Sequence, residues 1–598
     1  MALVAPAWPR AALASGVGFF AGNFATTEDW RASARRMELL FYRDGVSTTL
    51  SVDRENGQRI YRSNGKTDAS TAPSDMAVQV LIGQLGLLLH PDPKDVFVLG
   101  LGTGVSAAAV ARHPVRSIDI VDIEPAGVDA ARFFEPENRR VLSDPRVRYL
   151  AADGRNALLA RPKSYDVVIS DPSDIWVAGV GNLFTREFYT IARSRLNAGG
   201  VMVQWWHTHA LDPAHLKLIV ATFRSVFPHA SYWRPNMGDV ILVGSVDAVD
   251  WDLLRLRRKF EMVPGLAEDL RSIGIWSPIA LFGAFALAGQ DLDRLLEGTS
   301  SLHTDDRPVI EFYAPRFLYA DTTPGNDHLI EGAQTRLFPD VDNFDPERDL
   351  DAHETYLLGF ARASMNRFDS AIRLMEESVR RDPTDPKTWI GLGNQYRGQA
   401  QPEKAAAAYR SALAVRPGEP EASVELAALL RAQSDTPAAE KLLRAALRDA
   451  PGDPSASAAL AEICLDTGRA REASMELERS LTANPSNGSL HLLRARAMMK
   501  TGRREEARAS YLRAMSLLAS DPAALLSVGE GLLEAGAPED AARSFQMAVS
   551  VDPGSVEALI GLARAHRDRG DLAAYREASD RARRLDPNNP ALASLAAR

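Results

Sequence analysis

Cysteine is almost missing from this sequence. Cys464 is the single one among 598 residues, so no intrachain disulfide can form, and the lack of a CxxC or a Cys/His cluster leaves no framework for structural zinc. Long apolar runs are missing too. The least polar stretches, 11–22 and 277–289, fall short of the ~20 residues that a membrane-spanning helix needs. Basic charge is not in excess: 69 basic against 78 acidic side chains leave −9, which excludes the footprint of a nucleic-acid or anionic-lipid binder. The beginning, MALVAPAWPRAALASGVGFFAG, has Arg10 before a short apolar run, but its prolines and glycines and the missing small-x-small cleavage pattern speak against a signal peptide; residues 1–37 read as a loosely ordered lead-in. What is left is an ordinary composition, 45% apolar and 25% charged. A chain of this length should hold several domains, and a reducing, cytoplasmic setting is expected.

The clearest positive signal is a repeat. Segments beginning at Ala352, Pro386, Pro420, Pro454, Gly488, Pro522 and Val556 follow one another every 34 residues, the tetratricopeptide spacing. In the segment from Pro386, Trp389, Leu392, Gly393, Tyr396, Ala405, Tyr409, Ala412 and Pro417 take the helix-pair positions, with small residues where two helices meet. Pro383, Pro417, Pro451 and Pro485 end successive repeats, because proline lacks an N–H and disfavours helix in the residue before it; Ala519 interrupts the series. About seven such units over 352–598 should stack into an all-α superhelix. Its groove would take a protein or peptide partner, or the array would serve as a spacer or an oligomerisation surface.

Upstream, 38–73 carries short runs of β-forming residues broken by the turn signals Arg43-Asp44-Gly45 and Glu55-Asn56-Gly57, which predict a small antiparallel region. From 74 to 248 helical and β-rich segments alternate. VFVLG, SIDIVDIE, VRYLAAD, YDVVISD and VMVQWW supply the strands of an α/β domain with a parallel sheet covered by helices on both faces. Residues 249–351 read as a helical connector and linker, in which Thr304 to Glu311 suggests a strand returning to the sheet.

The first strand runs into a glycine-rich turn, Gly100-Leu101-Gly102-Thr103-Gly104, ahead of a helical SAAAVARH. Such a turn lets backbone approach a ligand and offers the free N–H groups of a helix N-terminus; nicotinamide, flavin and S-adenosyl cofactors would all suit it. The next strands end in Glu124, in Asp153-Gly154 and in Asp171. Ligands of open α/β sheets bind beyond the carboxyl ends of the strands, so these acids should converge on one crevice, with Glu124 placed for ribose hydroxyls. Trp205, Trp206, His207 and His209 follow the fifth strand; His-x-His with no neighbouring acid is poor metal evidence, and no metal is expected. Gln204 at that strand end would line the substrate side, and Trp176 would either cover the acceptor or pack beneath a loop.

From about 39 to 245 the chain resembles the spermidine synthase family of polyamine aminopropyltransferases, which share the Rossmann-like, seven-stranded S-adenosylmethionine methyltransferase fold. LGLGTG (99–104), VDIEP (121–125), AADGRN (151–156), YDVVISDPSD (165–174) and LFTREFY (183–189) carry the resemblance. It looks most like a bacterial subgroup in which the domain follows a multi-span membrane region, with NGKTDAST (64–71) and TDDRPVIEF (304–312) as further points of similarity; no such region stands in this sequence. A separate membrane partner and a homodimer stay open.

The resemblance implies decarboxylated S-adenosylmethionine as co-substrate, with Glu124 on the ribose, Asp153 and Gly154 on the adenine side, and Gly100, Gly102, Thr103 and Gly104 around the sulfonium end. Asp171 matches the proton acceptor, and Asp174 matches a substrate acid, with Ser173 and Gln79 beside the acceptor amine. Two positions depart from the family pattern: Thr103 stands where an acid is usual, and Val78-Gln79-Val80-Leu81 replaces a Tyr-His-Glu-Met segment. A neutral turn no longer discriminates against the carboxylate of intact S-adenosylmethionine. A methyltransferase using that cofactor therefore stays an alternative, as does a non-catalytic nucleoside-binding scaffold that recruits partners through its repeats.

Overall fold

The computed structural model describes residues 9–595 except 21–26, 28–29, 32–33, 35–36, 56, 174, 176, 178, 210, 249, 318, 366, 553, 587–588 and 593–594. Asn56, Asp174 and Trp176 thus lie outside the described residues. The chain forms two compact units, Met1–Glu377 and Ser378–Arg598.

The first unit opens with short helices at Arg10–Ala14 and Val17–Phe20 in the segment expected to be loose. They are held close to the β region: a Cβ on Gly65 would lie 2.6 Å from the backbone N of Gly16. Strands β1 (Glu38–Asp44), β2 (Thr49–Glu55), β3 (Gln58–Ser63) and β4 (Lys66–Ser70) then form the antiparallel sheet that the hairpin signals predict.

Helix α1 (Pro73–Leu89) starts with proline at its first turn and is buried on nearly every face. It leads into the main sheet: β5 (Asp95–Leu99), α2 (Val105–Ala111), β6 (Ser117–Asp122), β7 (Val147–Ala151), α3 (Gly154–Ala160), β8 (Tyr165–Ser170), α4 (Arg186–Ser194), β9 (Leu196–His207), α5 (Pro213–Val226), β10 (His229–Trp233) and β11 (Asp239–Ser245). Strands β9-β8-β5-β6-β7 are neighbours in that order and parallel, while β11 and β10 continue antiparallel beyond β9. Alternate side chains of the buried strands feed two cores. Val96, Val98, Ile120, Ile169, Val203 and Trp205 belong to one, and Phe97, Leu99, Val121, Val168, Met202 and Trp206 to the other.

The connector differs from the sequence expectation in two places. Phe285–Ala288 adds an eighth, antiparallel strand beside β10, where its apolar side chains are buried. Thr304 to Glu311 is not a strand of the sheet: Arg307 N–H donates back to the Thr304 carbonyl at 3.0 Å in a tight turn, and Pro308 caps the helix Val309–Tyr313. A proline at that point ends pairing and pre-sets a helical start.

The repeats form seven antiparallel helix pairs among the described residues, from Ala352–Ser364 with Phe368–Arg381 to Val556–Asp568 with Leu572–Leu585. Second helices end at Arg381, Val415, Asp449 and Ala483, each two residues before Pro383, Pro417, Pro451 or Pro485. Gly393 meets the Tyr409 ring so closely that a Cβ would lie 2.5 Å from it.

Between the helices of successive pairs one residue turns left-handed at the same repeat position: Ala400, Ser434, Gly468, Gly502, Gly536 and Gly570, with φ from 53° to 80°. Only glycine takes that conformation without steric penalty. Ala400→Gly and Ser434→Gly are each expected to stabilise the protein by about 0.5–1 kcal/mol, measured as a raised midpoint of chemical denaturation, and Gly468→Ala to lower it. A fall for both glycine variants would overturn the strain argument.

Candidate active site

The parallel strands β5, β6, β7 and β8 end on the same edge of the sheet, and a cavity of about 520 Å³ opens there. That size suits one nucleoside-bearing ligand with a small acceptor. The close approach of β5 and β8 sets its floor. Asp171 N–H donates to the Leu99 carbonyl at 2.9 Å, and Gly100, at φ 97°, has no side chain to hold the strands apart; a Cβ there would lie 2.2 Å from the Asp171 carbonyl oxygen.

Asp122, at the end of β6, ties down the turn that follows β5. Its half-buried carboxylate accepts from Leu101 N–H and Glu124 N–H, both at 2.8 Å. Glu124 is 4% exposed. It accepts from Ser47 N–H at 3.0 Å and Ser47 Oγ–H at 3.2 Å, and on its other oxygen from Ala126 N–H at 3.2 Å. The β1–β2 turn therefore sits directly on this carboxylate, and a Cβ on Gly45 would lie 2.3 Å from it. Burial acts to raise the Glu124 carboxyl, but the hydrogen bonds from Ser47, Ala126 and Thr48 prevail and hold it below the usual glutamate range. Asp153 caps α3, accepting from Asn156 N–H at 2.7 Å, and still lines the cavity with Gly154.

Asp171 behaves in the opposite way. Ser106 on α2 donates to its Oδ2 at 2.8 Å. Burial pushes the carboxyl up to about 7; Asp239 and Asp68 add to the rise, while Ser106 and His207 oppose it. Ser173 donates to both oxygens of Asp68 at 3.3 Å, and Lys66 Nζ lies 3.8 Å from Asp68. On the far side Asp239 accepts from Trp205 Nε1–H at 2.8 Å and Asn236 Nδ2–H at 2.7 Å, and faces His207 Nδ1 at 2.9 Å. Burial would raise Asp239, but His207, Asn236 and Trp205 together hold it low.

The cavity thus gathers Gln79, Gly100, Gly102, Thr103, Glu124, Asp153, Gly154, Asp171 and Ser173 from the sequence prediction. The two departures from the family pattern touch: Thr103 Oγ donates to Gln79 Oε1, and Gln79 Nε2 donates to the carbonyls of Ser70 at 3.0 Å and Asp75 at 3.2 Å. Two predicted residues do not line the cavity. Gly104 is the left-handed N-cap of α2, packed near Asn138. Gln204 is fully buried on the other face of β9 and donates to the Trp205 carbonyl, because side chains alternate along a strand; Trp205 and His207 are the ones that reach the cavity. Sequence reasoning missed Ser47, Tyr61, Lys66, Asp68 and Asp239, and gave Asp122 no role of its own. Lys66 and Asp68 had a signal inside NGKTDAST, and Asp122 inside VDIEP. Among the described residues no group of three or more His, Cys, Asp or Glu is placed to hold a metal ion.

The sequence model of the spermine/spermidine synthase domain matches residues 75–236, and that of the tetratricopeptide repeat matches 396–463, 430–480, 458–523 and 532–598. Polyamine aminopropyltransferase 2 of Pseudomonas aeruginosa is 33% identical over 209 residues, which are 34% of this chain and 59% of that protein. Putrescine N-methyltransferase 2 of Nicotiana tabacum is 32% identical over 161 residues, 26% of this chain and 42% of that one. The chain therefore spans about half the length of these curated relatives. A solved spermidine synthase from Thermotoga maritima is 19% identical, with a TM-score of 0.32, over 38% of this chain and 79% of its own. By these sequence-model matches, residues 75–236 of the chain resemble the spermine/spermidine synthase domain, and tetratricopeptide repeats follow.

Proposed function

We propose that the first unit is a polyamine aminopropyltransferase. The observation that carries this reading is Asp171, a carboxyl raised to about 7 in the same hollow as the low-lying Glu124 and the helix-capping Asp153. Two carboxyls pushed apart by their surroundings take two roles. Glu124, kept ionised, accepts from the ribose hydroxyls of decarboxylated S-adenosylmethionine, and Asp153 and Gly154 face its adenine side. Asp171 orients the acceptor amine and takes its proton. An alkylammonium with a pKa near ~10 has no lone pair for attack at pH 7, so this proton transfer is needed before the nitrogen reacts. The C–N bond then forms at the methylene beside the sulfonium, the C–S bond breaks with its electron pair on sulfur, and methylthioadenosine leaves. Asp68 and Asp75 make the acceptor side anionic, which suits a di- or triamine. The repeats are read as a docking module for a protein or peptide partner, and the cytoplasm as the compartment of a chain with one buried cysteine.

One observation favours a second reading. The neutral Thr103–Gln79 pair stands where an acid would repel the carboxylate of intact S-adenosylmethionine, and a putrescine N-methyltransferase is among the relatives. The assay that separates the two offers both cofactors with a panel of di- and triamines and follows the nucleoside product. Methylthioadenosine supports aminopropyl transfer, and S-adenosylhomocysteine supports methyl transfer.

Asp171→Asn is expected to lower kcat by about 10²–10⁴-fold while the nucleoside still binds, and wild-type kcat/KM should rise through an acidic limb near pH 7, below which Asp171 is protonated. Stability responds with the opposite sign. The unfolded chain releases this proton at lower pH than the folded one, so the contribution of Asp171 falls as pH rises from the ordinary aspartate range through about 7. The gain in Tm of Asp171→Asn over wild type should therefore be larger at pH 8 than at pH 5. Gly45→Ala, which forces the β1–β2 turn off Glu124, is expected to weaken nucleoside binding by about tenfold or more in calorimetry; unchanged affinity would count against Glu124 as the ribose acid.

A further inference from the structure

Ser106 stands in the first turn of α2, is 5% exposed, and borders the cavity. Its place is set by close packing. A Cβ on Gly83 of α1 would lie 2.3 Å from the Ser106 carbonyl oxygen and 2.7 Å from the Ala109 Cβ, so the missing side chain lets α1 come this near to α2. A serine within a helix commonly returns its hydroxyl to a backbone carbonyl of the preceding turn. Ser106 instead donates to Asp171 Oδ2 at 2.8 Å. The Asp171 backbone is fixed as well, because its N–H is held by the Leu99 carbonyl and its own carbonyl lies against Gly100. The carboxyl group is thus anchored at its base and at one oxygen, and Oδ1 accepts from no donor among the described residues.

Resting on the aminopropyl reading, we propose that Ser106 is a positioning residue of the transfer: its hydroxyl occupies Oδ2 of Asp171 and so makes Oδ1 the single atom that orients the acceptor nitrogen and receives its proton. An unrestrained carboxylate turns about its Cβ–Cγ bond and presents two equivalent oxygens. An ammonium then sits between them with no fixed direction for the lone pair it is to release. With Oδ2 engaged, one N–H of the acceptor points at Oδ1. That bond breaks with its electron pair left on nitrogen, the proton joins Oδ1, and Ser106 keeps its own hydrogen throughout. The lone pair has a defined direction towards the methylene, as a productive encounter requires. The hydroxyl has a second effect. A donor to the charged form favours that form, so Ser106 works against burial and against the acids around Asp171. Those acids are Asp239 on β11 and Asp68 on β4, with His207 on β9 acting in the opposite sense; Lys66 on β4, Asp75 on α1, Asp122 on β6 and Glu124 border the same hollow.

Two measurements on the full chain test this. Ser106→Ala suits the alanine-rich helix that holds it. It is expected to move the acidic limb of the rate profile up by about one pH unit or more and to lower kcat at pH 7 by about tenfold, while the nucleoside binds as before in calorimetry. Ser106→Thr, which keeps the hydroxyl, should hold the limb at its wild-type position. A limb that stays in place in Ser106→Ala, or moves equally in both variants, would overturn the proposal. Independently of activity, ¹³C NMR of aspartate-labelled protein follows the Asp171 carboxyl, identified by its loss in Asp171→Asn. Its titration should shift to higher pH in Ser106→Ala, and one identical to wild type would overturn the proposal as well. Wild-type protein that releases no methylthioadenosine from any amine would instead sink the aminopropyl reading, and the NMR result would still decide whether Ser106 governs Asp171.

Discussion

The contact between the ends of β5 and β8 governs the rest of the site. A single missing side chain, at Gly100, lets the Asp171 carbonyl come to 2.2 Å from where a Cβ would stand, and the Asp171 N–H to the Leu99 carbonyl closes the gap. The turn that would surround a sulfonium and the carboxyl that would take a proton are neighbours because of this approach. A larger residue at 100 would part the strands and divide the hollow. Asp122 completes the arrangement from β6 by accepting from both the turn and the Glu124 backbone, so that three strand ends are tied together.

Charge is concentrated where the overall balance hides it. The chain carries only −9, yet Asp68, Asp75, Asp122, Glu124, Asp153, Asp171 and Asp239 all border the same cavity, against Lys66 and Arg155. Their surroundings separate them into kinds. Glu124 and Asp239 receive enough donated hydrogen bonds to stay ionised in spite of burial, whereas Asp171 accepts from the Ser106 hydroxyl and has like charges nearby. Desolvation is common to all three, and the hydrogen-bond supply decides the sign. The small β region is part of this chemistry, since it brings Ser47 onto Glu124 and Asp68 towards Asp171.

Burial also explains why the first unit reaches into the repeats. Arg362 and Arg367 are fully buried; Arg362 donates to the Phe282 carbonyl at 3.2 Å, and Arg367 to the Gly283 carbonyl at 3.0 Å and to Glu331 at 3.2 Å. Guanidinium groups taken out of water need such partners. Sequence at the start of the first repeat is thus spent on contacts that the later repeats do not make, while the later ones keep the left-handed glycine that Ala400 and Ser434 lack.

Much of this was legible residue by residue. Buried parallel strands read as apolar runs, the acids after them mark the carboxyl edge, and a 34-residue recurrence with closing prolines states the helix pairs outright. Gln204 shows where reading failed: the side of the sheet a residue faces depends on the register of β9 between β8 and β11, which strand composition does not encode. The eighth strand, Phe285–Ala288, was equally silent, because four apolar residues in a helical context carry no periodicity. Local composition and spacing therefore determined the elements, the repeats and the row of acids, since each of these is written in neighbouring residues. Tertiary structure alone decided which acids are ionised and what meets them, for Ser47, Asp68, His207 and Asp239 come from distant parts of the chain, and only the folded sheet sets their distances.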